Sequence, residues 1–201
     1  MKSTAHCYLT LGLALGLTAS WAASAATSTA VFTETMGATA AKPWTGSGCN
    51  NAWTVTFNGG NPFEQALNAN YGSGNPCGLT FKGGTANLSD SMITTTAGIN
   101  AQGASGTLTF YMEADSLAAG GGWVMQLNAG AGFTNRLSEL TASNHAFQAY
   151  SYTLQAAELV NNLTLRFQFR GGYPTNRIML DDIVLTVVNG TNSSATVTLT
   201  N

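Results

Sequence analysis

Alternating apolar and polar positions mark the C-terminal part of the chain. Residues 163–170 read L-T-L-R-F-Q-F-R, so Leu and Phe fall on one side and Thr, Arg and Gln on the other. This period of two is typical of a strand with one face in a core and the other in water. Residues 177–188 are apolar at nearly every position except Asp181 and Asp182. Two carboxylates inside a strand require compensation by a cation or by hydrogen bonds.

Short segments of the same kind recur along the chain, and helical periodicity is nearly absent. The predicted strands are 29–34, 53–57, 79–81, 92–95, 106–114, 122–127, 133–137, 146–154, 163–170 and 177–188. Gly-Gly, Asn-Gly, Asn-Pro and Gly-Ser groups separate them, which is typical of an antiparallel sandwich. Residues 155–160 predict no more than one helical turn, connecting two strands.

The N-terminus predicts a secretory signal peptide over residues 1–25. One Lys precedes a short apolar stretch, and Ala23-Ser24-Ala25 supplies an A-x-A cleavage site. No later segment has the roughly 20 apolar residues of a membrane-spanning helix, so we expect no membrane insertion. We therefore expect a secreted protein, with bacterial export favoured. Its single domain spans residues 26–188, and residues 189–201 form a flexible Thr/Ser/Asn-rich tail rather than one more edge strand.

Cysteine usage fits this compartment. Cys7 leaves with the leader, and Cys49 and Cys77 remain as an even pair. In an oxidising environment we expect them to form one structural disulfide, worth about 3–4 kcal/mol by chain entropy. Two free buried thiols are the alternative.

The charge content excludes one class of partner. Charged residues make up 8% of the chain, against about 25% in typical proteins. Seven Lys and Arg residues face nine Asp and Glu residues, with no basic run. Nucleic acid is therefore not an expected partner.

Three stretches carry a resemblance to known proteins: F-T-E-T-M-G, G-G-W-V-M-Q-L-N-A-G-A-G-F-T-N-R, and L-R-F-Q-F-R followed by N-R-I-M-L-D-D-I-V-L. Together they resemble jelly-roll β-sandwich domains of secreted bacterial proteins, which include carbohydrate-binding modules and MAM-like adhesion domains. The resemblance implies an all-β, antiparallel two-sheet jelly-roll sandwich.

The resemblance also implies a structural calcium ion. In several such modules an acidic residue of the first strand and an Asp of the last strand hold calcium, and Glu34, Asp181 and Asp182 stand in those places. Calcium binds carboxylate and carbonyl oxygens of this kind. The alternative is that one Asp faces solvent while the other accepts hydrogen bonds from Arg177 or from backbone amides.

A glycan-binding platform is the predicted ligand site. Arg166, Gln168 and Arg170 share the polar face of one strand, and Tyr111 and Gln126 lie on other predicted strands. Aromatic rings cover the apolar faces of sugars, while Arg and Gln bind their hydroxyls. The competing interpretation is that the arginines only solvate an outer face. Trp123 shares parity with Met125 and Leu127, which favours a place in the core.

A catalytic site is disfavoured. Glu113 and Asp115 resemble the first two acids of the E-x-D-x-x-E strand of laminarinase-type glycoside hydrolases, but Ala118 replaces the acid/base. His145 is predicted to be a surface turn residue.

We therefore predict a non-catalytic extracellular binding or adhesion module for polysaccharide or another cell-surface or matrix component. The alternatives are a structural subunit of a biofilm matrix or surface filament, and a polysaccharide-acting hydrolase or lyase.

Overall fold

The computed structural model describes residues 18–22, 25–57, 60–67, 77–82, 91–115, 121–140, 145–170, 177–190 and 194–198. Most of the predicted leader, and Ala118, lie outside these residues. The chain divides into two compact units, Thr27–Gly190 and a unit formed by Met1–Ala26 with Thr191–Asn201. In the second unit β1 (Thr18–Ala22) pairs antiparallel with β13 (Ser194–Thr198), which lies within the predicted tail. Leader cleavage and tail flexibility stay predictions.

Two antiparallel sheets form the unit Thr27–Gly190. Its elements are β2 (Thr27–Glu34), β3 (Trp53–Thr56), β4 (Phe63–Leu67), β5 (Cys77–Lys82), β6 (Ser91–Thr95), β7 (Ser105–Asp115), β8 (Gly122–Asn128), β9 (Thr134–Glu139), β10 (His145–Thr153), the 3-10 turn Ala156–Glu158, β11 (Thr164–Arg170) and β12 (Arg177–Asn189). The six-stranded sheet has the order β10-β7-β12-β5-β4, with β2 also paired to β12, and the five-stranded sheet has the order β3-β6-β11-β8-β9. The predicted two-sheet antiparallel sandwich is confirmed.

Strand β12 organises the six-stranded sheet. One of its sides pairs with β7, while the other pairs first with β5 over residues 177–180 and then with β2 over residues 183–189. Asp181 and Asp182 therefore lie between the start of β5 and the end of β2. The pairing with β7 also shifts between Asp181 and Val184, and Asp182 has a positive φ of 47°. These features define a β-bulge, which adds one residue to the strand.

The bulge reverses the phase of side chains along β12. Ile178 and Leu180 are buried before it, and Ile183, Leu185 and Val187 are buried after it. Because successive strand residues point to opposite faces, only an extra residue lets both halves turn apolar side chains to the same core.

The core lies between the sheets and is rich in aromatic side chains. Phe167 and Phe169 of β11 are buried, as the alternating pattern predicts. Phe167 packs edge-on against Phe110 of the other sheet, with ring centroids 5.0 Å apart, and Phe169 lies 5.6 Å from Phe63. Such edge-to-face contacts stabilise the packing of one sheet on the other. The polar residues of β11 consequently lie on the outer face of the five-stranded sheet.

Each predicted strand segment overlaps a strand of the structure, and the short helical turn is present. The sequence pattern missed β4, which reads F-E-Q-A-L. This segment contains no β-branched residue, so its strand propensity is weak. Its position at the sheet edge is fixed by tertiary pairing with β5. Among the described residues, no helix is both long enough and apolar enough to cross a membrane.

Candidate functional site

A row of polar residues crosses all five strands of the five-stranded sheet. Its members are consecutive partners in the strand register, one from each strand: Thr54, Thr94, Arg166, Gln126 and Asn135. Residues directly opposite one another in antiparallel strands project from the same face. All five are half-buried or exposed. We call this set the polar row, and it forms the middle of the outer face.

Arg166 occupies the centre of the polar row, on the central strand β11. Its Nε donates a hydrogen bond to Thr94 Oγ1 at 3.0 Å, and its Cζ lies 3.4 Å from the centroid of the Phe133 ring. Partial burial lowers the pKa of the guanidinium below its ordinary value, although arginine stays charged in proteins. The ring and the hydroxyl together fix the orientation of the guanidinium.

The carboxamides of Gln126 and Asn135 extend the row toward the sheet edge. Gln126 Nε2 donates to Asn135 Oδ1 at 2.8 Å. Each carboxamide has two donors and one acceptor oxygen, so this bond leaves Gln126 Oε1 and Asn135 Nδ2 for other partners. Together the two planar groups offer a donor and an acceptor side by side.

The turn between β8 and β9 brings Phe133 over Arg166. Asn128 Oδ1 accepts hydrogen bonds from the backbone N–H of Gly130 at 2.8 Å and of Gly132 at 3.0 Å. Both glycines have positive φ, 111° and 98°, a conformation that costs glycine little. The side chain of Asn128 thus shapes a tight turn immediately before Phe133.

The structure divides the predicted ligand residues between the two sheets. Arg166, Gln168, Arg170 and Gln126 lie on the outer face of the five-stranded sheet, with Gln168 opposite Met92 and Val124, and Arg170 opposite Gly122.

Tyr111 lies apart from that platform. It belongs to β7 of the six-stranded sheet and pairs with Ala149 and Asp181. The grouping of Tyr111 with the arginines is therefore wrong, because the strand order needed to place it could not be derived from the pattern. Trp123 is fully buried, as its parity indicates.

Glu34 is a saturated hydrogen-bond acceptor. Its Oε1 accepts from the backbone N–H of Met36 at 2.8 Å and of Asn50 at 3.1 Å. Its Oε2 accepts from Asn51 N at 2.9 Å, Asn51 Nδ2 at 3.2 Å and Trp53 Nε1 at 3.1 Å. These donors turn their positive ends toward the carboxylate, where a cation would have to bind. Glu34 therefore fits a structural acceptor that ties β2 to the following loop better than it fits a calcium ligand.

The two aspartates differ in environment. Asp181 is fully buried, and its Oδ1 accepts a hydrogen bond from the backbone N–H of Asp182 at 2.9 Å, while Asp182 is half-buried. Among the described residues, no three metal-binding side chains form a group that would hold an ion. A calcium ion bound here would depend on this pair together with carbonyl or water oxygens.

Both cysteines are free thiols in the structure, so the predicted disulfide is not formed there. Burial, followed by the charge of Glu34, raises the pKa of Cys49 to about 12. Burial also raises the pKa of Cys77, with a smaller effect from Asp181. Oxidation proceeds through the thiolate, and the surroundings of both sulfurs oppose its formation. Cys77 also raises the pKa of Cys49, which places both thiols in one region.

Glu113 and Asp115 form an ion-pair cluster with Arg177 on the outer face of the six-stranded sheet. Arg177 Nη2 lies 3.0 Å from Asp115 Oδ2 and 3.9 Å from Glu113 Oε1. Burial is the main cause of the raised pKa of Glu113, and Arg177 opposes it. The arginine neutralises these acids, which fits the non-catalytic interpretation better than a hydrolase.

A second ion-pair cluster lies on the same outer face. Glu64 Oε1 lies 2.8 Å from Lys42 Nζ, and its Oε2 lies 2.7 Å from Lys82 Nζ. Burial alone would raise the pKa of Glu64, but the hydrogen bonds and charges of the two lysines outweigh it and hold the pKa below its ordinary value.

Glu139 connects the edges of the two sheets. Its Oε2 accepts from Tyr150 Oη at 2.8 Å and Trp123 Nε1 at 3.2 Å, and it lies 3.2 Å from His145 Nε2. His145 begins β10, and only 9% of its side chain is exposed. The prediction of a surface turn residue is wrong, because His145 belongs to a strand and its contact with Glu139, six residues earlier, holds the imidazole inward.

Comparison with solved structures shows that the sandwich has a known fold. The K3 and K1 cleaved adhesin domains of Lys-gingipain from Porphyromonas gingivalis superpose with TM-scores of 0.54 and 0.54 at 17% identity, covering 78% and 82% of this chain and 98% and 99% of theirs. The CBM22-1–GH10 modules of Clostridium thermocellum endo-1,4-β-D-xylanase 10B, complexed with xylohexaose, match with a TM-score of 0.50 at 10% identity. That match covers 79% of this chain and 28% of the xylanase chain.

The chain has the fold of these modules. The resemblance to jelly-roll sandwiches of the carbohydrate-binding and adhesion type is therefore confirmed at the level of fold. No family model matches the chain, and neither does any curated protein.

Sequence reasoning missed four residues of the candidate site, Thr54, Thr94, Phe133 and Asn135. Thr94 and Asn135 lie beside predicted platform residues only because of the strand register, which alternation alone does not determine. The A-G-F-T-N turn was the sequence feature that could have indicated the positions of Phe133 and Asn135. A hairpin drawn through it would have placed Phe133 and Asn135 near Gln126.

Proposed function

We propose that this chain is a non-catalytic, extracellular module that binds polysaccharide through the outer face of its five-stranded sheet. The polar row with Arg166 stacked on Phe133 is the observation that carries the proposal. A sugar chain lying on this face would meet planar amide and guanidinium groups suited to its hydroxyls. These groups project from paired strands, so they are oriented before a ligand arrives.

The comparisons support binding rather than catalysis. The matched gingipain domains are adhesin domains, and the matched xylanase structure contains CBM22-1 and GH10 modules complexed with xylohexaose. The acids that resemble a hydrolase motif, Glu113 and Asp115, lie on the other sheet and contact Arg177.

Affinity electrophoresis against a panel of neutral and acidic polysaccharides tests the proposal. At least one polysaccharide should retard the protein, and Gln126→Ala should weaken that retention about five- to tenfold through lost hydrogen bonds. Tyr111→Phe is the control, because it changes a polar residue on the outer face of the other sheet. Equal retention of Gln126→Ala and the unchanged protein would place binding elsewhere, and retention by no polysaccharide would overturn the function.

A structural calcium ion at Asp181 and Asp182 belongs to the same proposal. The bulge contains two adjacent aspartates, next to the end of β2 and the start of β5. If the ion binds there, the melting temperature should rise with calcium concentration by mass action and fall with a chelator. Asp182→Asn should abolish the rise. A melting temperature independent of calcium would remove the ion from the proposal.

The Cys49–Cys77 disulfide also stays a proposal for the exported protein. Protein recovered from an oxidising compartment should have an intact mass lower by the two thiol hydrogens than the reduced protein. An unchanged mass would leave the free thiols of the structure as the native state.

Assembly through sheet edges is a second candidate function. Strand β10 ends the six-stranded sheet, and from Ala146 to Thr153 it contains no charged residue. Uncharged edge strands favour pairing with another chain. Sedimentation velocity over a range of concentrations should show association that Ala149→Lys removes. A monomer at every concentration would exclude this candidate.

A further inference from the structure

The ion pairs of the described residues set Arg166 apart. Four basic side chains contact carboxylates, and these pairs are Lys42 with Glu64, Lys82 with Glu64, Arg136 with Glu158, and Arg177 with Asp115. Arg166 contacts the Thr94 hydroxyl and the Phe133 ring, and no described carboxylate lies within ion-pair distance of it. Among the described residues, Arg166 thus has no carboxylate partner, although it lies in the middle of the candidate binding face.

That arrangement costs stability. Arg166 is half-buried, and removing a guanidinium from water without a compensating anion is unfavourable. Neither the hydroxyl of Thr94 nor the ring of Phe133 supplies a full negative charge. A bound anion would compensate the charge of the guanidinium. Binding would then remove the unfavourable desolvation energy of the free protein, and this gain would add to the affinity.

The hydrogen-bonding capacity of Arg166 is directed toward a planar acceptor. Guanidinium carries five N–H donors, and the Nε donor is occupied by Thr94. The two Nη nitrogens keep the parallel N–H pair that binds a carboxylate in a fork-to-fork arrangement. Phe133 covers one face of the guanidinium plane, which further restricts a ligand to the Nη edge or to the opposite face.

The neighbours of Arg166 favour a sugar acid over a small free acid. Gln126 lies directly opposite Arg166 in the register, and Asn135 lies opposite Gln126. Their carboxamides suit hydroxyl groups, and the polar row contains no carboxylate that would repel an anion. A ligand that satisfies the whole row needs hydroxyls and a carboxylate on one extended chain.

From this arrangement we infer that Arg166 binds the carboxylate of an acidic sugar unit, so that the ligand of this face is a uronate-containing polysaccharide. The inference rests on the proposed function, since it names the class of polysaccharide bound by the same face. It assigns to Arg166 the choice between acidic and neutral chains, and to Gln126 and Asn135 the hydroxyls common to both.

Matched polysaccharides that differ only in charge test the inference. Polygalacturonate and alginate are compared with their methyl-esterified forms by isothermal titration calorimetry at low ionic strength. At least one acid form should bind about tenfold or more tightly than its ester. Added salt should reduce that preference, because an exposed ionic contact is screened.

Two variants with the same change in charge complete the design. Arg166→Gln should remove the preference for the acid form while keeping the weaker binding to the ester. Lys42→Gln should keep both, since Lys42 is 74% exposed and contacts Glu64 on the outer face of the other sheet. Arg166→Lys should give an intermediate preference, because it keeps the charge but loses the fork. Circular dichroism melting verifies that each variant folds.

The outcomes distinguish a failure of the uronate inference from a failure of the proposed polysaccharide binding. Equal binding of acid and ester forms, or a preference that survives Arg166→Gln, would overturn the uronate inference and leave polysaccharide binding intact. A preference for a sulfated glucan without any preference for uronates would also overturn it. Binding to no polysaccharide of the neutral and acidic panel would overturn the proposed function itself.

Discussion

The outer faces of the two sheets differ in whether their charged side chains form ion pairs. On the six-stranded sheet, acids and bases meet in two clusters, Lys42 and Lys82 with Glu64, and Arg177 with Asp115. On the five-stranded sheet, the polar row contains neutral hydroxyls and amides around a single cation, Arg166. The chain thus pairs these charges on one face, while the proposed function assigns Arg166 on the other face to an outside partner.

Under the proposed function, this difference explains why one face is better suited to a ligand than the other. A charge with a partner in the same molecule must lose it before binding anything else, whereas a charge with only a ring and a hydroxyl for contacts has no such cost. Exposed ion pairs contribute little stability, so the paired face is not explained by stability alone. Because its basic groups already contact carboxylates, the outer face of the six-stranded sheet should bind an acidic polysaccharide less well than the face that contains Arg166.

The largest expected effect comes from making the two faces alike. Thr94→Glu would place a carboxylate directly opposite Arg166 in the register, where it pairs with the guanidinium. We expect polysaccharide affinity to fall more than about tenfold with the fold retained, because the internal carboxylate competes with the ligand. Calorimetric titration measures the change.

Thr54→Glu serves as the control for that prediction. It adds the same charge to the same row, but on the edge strand β3, with β6 between it and Arg166. Its effect should be smaller. Equal losses in both variants would mean that negative charge anywhere on the face repels the ligand, and that pairing with Arg166 has no special role.

An intermediate effect, on stability rather than binding, is expected from Arg177→Gln. Removing the guanidinium leaves Glu113 and Asp115 as like charges on one strand face. Because 41% of the Arg177 side chain is exposed, the loss in the free energy of unfolding should stay below about 1 kcal/mol. Urea unfolding measures it, and polysaccharide affinity should not change. A loss of affinity would show that the paired face also contributes to binding.

The smallest expected effect is the pH dependence of the paired face. The pKa of Glu64 is lowered in the fold, so the stability this residue contributes is present above the pKa of an unfolded Glu, about 4.3, and is lost as pH falls through its folded value. The pKa of Glu113 is raised, mainly by burial, so its contribution is greatest at low pH and is lost as pH rises through its folded value.

Urea unfolding from pH 3 to pH 7 separates these two contributions. The stability difference between the unchanged protein and Glu64→Gln should grow as pH rises, and the difference for Glu113→Gln should change in the opposite direction. Parallel curves for the two variants would contradict the assignment of opposite pKa shifts.

The strands were predictable because their information is local. Strand β11 alternates without interruption, and its buried Phe167 and Phe169 face the core as the pattern indicates. The orientation of Asp181 and Asp182 could not be predicted in this way, since the bulge between Asp181 and Val184 interrupts the alternation of side chains. A bulge is a property of the pairing between strands, which one strand does not display by itself.

The candidate site was predictable only in part, for the same physical reason. Arg166 and Gln168 share a strand, so their common face follows from the sequence. Thr94 and Asn135 reach Arg166 and Gln126 through register, and Tyr111 was misplaced because sheet membership depends on the topology of the whole chain. Contacts between strands distant in sequence determine both properties.

The position of β12 in its sheet also bears on the order in which the protein is built. The only described strand partner of β2 is β12. Thr33, near the start of the domain's sequence, pairs with Val184, near the end of that sequence. A ribosome that makes the chain from its N-terminus completes β2 long before β12 exists. Long-range pairing of this kind slows folding, so β2 stays unpaired until synthesis is nearly finished. Unpaired strand edges favour misassembly, and a chaperone that covers β2 during this interval would protect the nascent chain.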